Sequence, residues 1–69
     1  MWKVALEVLT IYYAIEELAE KLGVTRATIS RWRHGHNQPQ QKCCRMLVSI
    51  ARSEYPEAYN AAMKERGAK

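Results

Sequence analysis

The sequence predicts an all-α fold, a compact bundle of about five short helices, because apolar residues recur at helical spacing along nearly the whole chain. No segment alternates apolar and polar residues over a useful length, which removes the signature of strands. Glycines, prolines and a capping threonine fall between the apolar runs, where helices stop and start. A chain of 69 residues makes a single domain, expected over 1–66, with 67–69 as a frayed tail.

The first helix is expected from Trp2 to Tyr12, with Ala5, Val8, Leu9 and Tyr12 on one stripe and Glu7 facing water. Ile15, Leu18, Ala19 and Leu22 repeat that spacing in a second helix. Its Glu16, Glu17 and Glu20 lie outside and complement the positive start of the helix dipole. Gly23 ends it. Thr25 is an N-cap residue for a third helix from Arg26 to about His34, and Gly35 can take the left-handed conformation that stops it. His36, Asn37, Gln38 and Pro39 form a polar loop. A fourth helix from about Gln40 to Arg52 carries Cys43, Leu47, Ile50 and Ala51 inward. Ser53 to Tyr55 make a break. Pro56 then suits the first position of a fifth helix, with Ala58, Tyr59, Ala62 and Met63 along one side.

Composition argues against several classes of function. A domain of this size buries only about 60% of its unfolded surface and has no deep interior for a substrate. Glu16, Glu17 and Glu20 are the only clustered carboxylates, on an exposed face with no nucleophile beside them, so no catalytic residues are expected. Cys43 and Cys44 are neighbours, and a bond between them would force a strained ring, so free thiols are expected. His34 and His36 lack the companion cysteine pair of a zinc finger; neither a metal nor a cofactor is expected. No apolar run approaches the ~20 residues of a membrane span. Glu7 interrupts the N-terminal apolar run and no small-residue cleavage site follows, which argues against a signal peptide and for a cytoplasmic protein.

The net charge of +4 conceals an asymmetry. From Lys21 to Arg52 the chain has seven basic residues and no Asp or Glu, whereas the flanks carry four basic and seven acidic residues. Like charges gathered in this way repel one another unless an anionic partner uses them. Charge alone leaves two readings open, a polyanion partner and a solvated basic face.

Position within the third helix separates those readings. Successive residues of a helix turn by about 100°, so Ser30, His34, Ala27 and Arg31 all fall with Arg26 on one face. Ile29 and Trp32 fall on the opposite side, toward Leu18 and Ala19 of the second helix, so Trp32 is expected in the core. Gly23 makes the turn and Val24 dips inward. Two short helices joined by a glycine turn, the second acid-free and arginine-bearing, match what a helix-turn-helix over Ile15 to Gly35 requires. Arginine's planar fork suits O6 and N7 of guanine, and small residues such as Ala27 and Ser30 let a helix approach base edges. Arg26 and Arg31 are the foremost candidates for base reading. Arg33 and His34 are candidates for phosphate contact, as are Lys42 and Arg45, which could equally keep the domain soluble.

The run from Ile15 to Trp32, extended by Gly35 and Pro39, closely resembles the helix-turn-helix of the lambda-repressor and Cro family. The resemblance implies a small Cro-like regulator of phage or bacterial origin that binds a palindromic operator in double-stranded DNA as a homodimer, formed in solution or only on DNA. It also implies that Thr25, Arg26, Ala27, Ser30 and Arg31 face the groove. Many members start the second helix with Ser or Thr and then Gln, which helps to hold a phosphate; Ala14 and Ile15 stand there instead. Where members often carry Glu-Asn before the glycine, this chain has Arg33-His34. Longer repressors add a C-terminal domain, and this chain resembles the minimal version. Tyr55, Tyr59 and Met63 on the fifth helix are candidates for dimer contacts or for closing the core. An antitoxin, an excision accessory factor or a protein- or RNA-docking adaptor would use the same fold.

Overall fold

Among the described residues five helices follow in chain order, α1 (Trp2–Tyr12), α2 (Ile15–Leu22), α3 (Arg26–Arg33), α4 (Gln41–Glu54) and α5 (Pro56–Gly67). The computed structural model describes residues 1–67, and among them there is no strand, as the fold class predicts. Of the tail expected over 67–69, Gly67 closes α5, and 68 and 69 lie outside the described residues.

The hub of the bundle is α1, which packs against all four other helices and most extensively against α4. A helix with neighbours on several sides buries more than one stripe. Val4 and Leu6 are accordingly buried along with the expected Ala5, Val8 and Leu9. Tyr12, expected on the buried stripe, is instead 52% exposed. Its ring stacks on that of Tyr55 at the surface rather than entering the core.

Leu9, Leu18, Ile29 and Leu47, one from each of the first four helices, are wholly buried and form the centre. Each contributes about 1.5–3 kcal/mol relative to an exposed side chain. Ala51 joins them from α4, while Cys43 and Ile50, expected on the same stripe, are only half-buried. No buried side-chain nitrogen or oxygen among the described residues lacks a hydrogen-bond partner.

The fourth helix runs past its expected end at Arg52 to Glu54. Proline takes the residue before it out of helical backbone, and that residue is Tyr55, at φ −134° and ψ 58°. Ser53 and Glu54 are therefore free to continue the helix. Beyond the break, Tyr59 is buried at 6% exposure and Tyr55 and Met63 are half-buried against the same cluster. All three pack against the core, Tyr55 and Met63 keeping part of their surface exposed.

Cys43 and Cys44 are free and half-buried, and the Cys44 thiol donates to the Pro39 carbonyl at 3.5 Å. No helix among the described residues is long and apolar enough to cross a membrane.

Candidate nucleic-acid interface

The two glycines that frame α3 have positive φ, 72° at Gly23 and 79° at Gly35. Each closes a helix in the same way. After α2, the N–H of Gly23 donates to Glu20 at 3.2 Å and that of Val24 to Ala19 at 3.0 Å. After α3, the N–H of Gly35 donates to Trp32 at 3.2 Å and that of His36 to Arg31 at 2.9 Å. This paired pattern satisfies the last carbonyls of a helix and needs a left-handed residue, which glycine supplies without strain. Val24 follows the first stop and packs against the core, as its place in the sequence predicts.

Thr25 starts α3 with extended backbone, and its Oγ1 accepts the N–H of Thr28 at 3.2 Å. The two threonine hydroxyls are themselves 2.9 Å apart. The first turn of α3 is thus held by its own side chains.

Ile29 and Trp32 anchor α3 from beneath, at 0% and 5% exposure, in the cluster that contains Leu18, Ala19 and Leu22. Among the described residues α3 packs closely on α1 and α2, and it meets α4 through the core cluster that Ile29 and Trp32 share with Leu47. Its opposite side is therefore open. Thr25, Arg26, Ala27 and Arg31 are exposed there, and Ser30 is half-buried.

The phosphate candidates divide into two groups. Arg33 and His34 are exposed at the end of α3, beside a groove of about 600 Å³ whose other wall is α1. Lys3 lines that groove too, which adds a cation that the sequence does not connect with the third helix. His34 is itself held, with Nδ1 donating to the Ser30 carbonyl at 2.8 Å. Lys42 and Arg45 are exposed on α4, where Arg45 shares a shallow depression with Arg52. Arg52, which the sequence reading counts in the basic stretch, is not among its phosphate candidates. Its signal is the i, i+7 spacing from Arg45, which returns a helix to nearly the same face.

Across the turn, the Arg26 guanidinium meets the Glu16 carboxylate, Nη1 to Oε2 at 3.2 Å. Both side chains are about two-thirds exposed, at 68% and 71%. The sequence reading assigns Glu16 to the α2 dipole and overlooks this contact. The available signal is opposite charge at the facing starts of two helices ten residues apart.

The start of α2 differs from a polar phosphate anchor. Ala14 caps it without a side-chain acceptor, and Glu17 reaches back to accept the Ala14 N–H at 3.3 Å. Carboxylates already occupy the positive end of this helix. No group of three or more His, Cys, Asp or Glu among the described residues could hold a metal ion; His34 and His36 lie with ring centroids 6.3 Å apart.

A helix-turn-helix family model matches residues 12–48, which spans α2, the turn, α3, the following loop and half of α4. No curated protein and no solved structure matches the chain.

Proposed function

From the premise that this chain belongs to the lambda-repressor and Cro type of helix-turn-helix family, whose members are DNA-binding regulators, we propose that it represses transcription by occupying an operator. The reading has α3 enter the major groove of double-stranded DNA. Thr25, Arg26, Ala27, Ser30 and Arg31 read base edges, and Arg33, His34, Lys42 and Arg45 contact phosphates. The observation that carries it is the two-sidedness of α3. Ile29 and Trp32 are committed to the core, and the opposite face is free of acids of its own and of covering helices.

The reading includes a symmetric operator. The longest extent of the molecule is 31 Å, just under one turn of duplex, about 34 Å, so one copy reaches one half-site. A module this small makes few contacts, and a second copy bound alongside raises the affinity. Because Tyr55, Tyr59 and Met63 pack against their own core, the contact between copies uses only what those residues leave at the surface of α5. Repression then needs no cofactor, since a bound dimer blocks polymerase by occupancy.

Enrichment of random duplexes on the purified protein tests this reading. The expected product is a two-fold symmetric site with half-sites about one turn apart. Failure to enrich any sequence would overturn it.

A further inference from the structure

We propose that Glu16 is a positioning residue for sequence reading: it holds Arg26 in a pose that favours a base edge over a phosphate. The inference rests on the DNA-reading role proposed above. Arg26 is the first residue of α3, the end of a recognition helix that goes deepest toward the bases. An arginine there that is 68% exposed is free to sample many rotamers and to settle on the nearest phosphate. The contact of Nη1 with Glu16 Oε2 at 3.2 Å restricts that freedom.

It does so without using up the fork. Guanidinium has five N–H donors on three edges, and a single bond from Nη1 leaves the edge formed by Nε and Nη2 for two parallel acceptors. O6 and N7 of guanine are such a pair. A phosphate competes differently, because it must approach Arg26 beside the Glu16 carboxylate and like charges oppose it. Glu16 therefore acts against wrong contacts more than in favour of right ones.

The placement of Glu16 also makes the contact report on the motif itself. Glu16 lies in the first turn of α2 and Arg26 at the start of α3, so the pair forms only when the turn at Gly23 sets the two helices correctly. Supporting a reading side chain from a neighbouring helix is the general means of keeping it in register.

The test compares five proteins on duplexes enriched by the wild type and on an unrelated duplex: wild type, Glu16→Gln, Glu16→Asp, Arg26→Ala and the double variant of Glu16→Gln with Arg26→Ala. Glu16→Gln should bind the unrelated duplex more tightly, with a steeper salt dependence, and lose about two- to fivefold of its preference at one base pair, as suits an exposed ion pair. In the Arg26→Ala background Glu16→Gln should leave that base preference unchanged, whereas with Arg26 present Glu16→Asp should keep part of it. A purely structural role for Glu16 would not single out one base pair or depend on Arg26. Wild-type enrichment with an unaltered preference in Glu16→Gln would overturn this proposal and leave the DNA-reading role standing. No enrichment by the wild type would overturn both.

Discussion

The ring of Tyr12 lies flat on that of Tyr55, with centroids 4.1 Å apart and planes inclined by 7°, so the outer end of α1 is clamped to the junction between α4 and α5. Tyr13 meets the edge of the same Tyr55 ring at 6.2 Å. One residue between two helices thus holds the last residue of α1 and the residue that caps it. Tyr55→Ala should cost about 2 kcal/mol, combining lost half-buried area with two aromatic contacts. Chemical denaturation at several protein concentrations checks it. A loss independent of concentration identifies a role in closing the fold, whereas unchanged stability with weakened self-association would identify a contact between copies.

Thr25→Ala removes the acceptor that holds the Thr28 N–H and should lower stability by about 1 kcal/mol. Thr25→Ser keeps the oxygen and should stay close to wild type. Thermal unfolding followed by circular dichroism distinguishes the two, and equal losses for both would remove the capping explanation.

The Tyr13 hydroxyl donates to the Glu54 carboxylate, and this bond, followed by burial and the negative charge of Glu54, raises its pKa from 10.0 to about 12. The neutral phenol is the form that the fold favours. Its contribution to stability is complete below about pH 10 and is lost as the pH climbs toward 12. The difference in tyrosinate absorbance between the wild type and Tyr13→Phe should place the Tyr13 ionisation near pH 12, and Glu54→Gln should return it toward 10.0. Ionisation of Tyr13 near pH 10 in the wild type would contradict the bond.

On an enriched operator, Arg31→Ala should cost ~1–3 kcal/mol and relax one base position, while Lys42→Ala should weaken all sequences alike and reduce the salt slope by about one. Lys3→Ala should behave like Lys42→Ala, because Lys3 shares a groove with Arg33 and His34. Binding measured against salt concentration separates the two kinds of residue. If Arg31→Ala were to weaken all sequences equally, Arg31 would belong with the phosphate contacts.

How well each feature can be read from the sequence follows the reach of the forces involved. Gly23, Thr25 and Gly35 act on hydrogen bonds a few residues away, so both ends of α3 are legible from the residues themselves. The inward turn of Ile29 and Trp32 is legible for the same reason, because helical geometry alone puts them opposite Arg26 and Arg31. The end of α4 lies beyond its expected place because Ser53 resembles a breaker, although Pro56 turns the backbone out of the helix only at Tyr55.

By itself, then, the sequence determined the two helices of the motif and the turn between them, the caps and stops around α3, and which residues of that helix share its apolar side, all of which follow from residues within about one helical turn. The tertiary structure decided what depends on distant segments meeting. It turned Tyr12 outward onto Tyr55, brought Lys3 of α1 to the groove beside Arg33, and committed Tyr59 to the core. It also set Glu16 against Arg26, because the angle at which α2 and α3 cross is fixed by the packing of Leu18, Ala19 and Leu22 against Ile29 and Trp32 rather than by either helix alone.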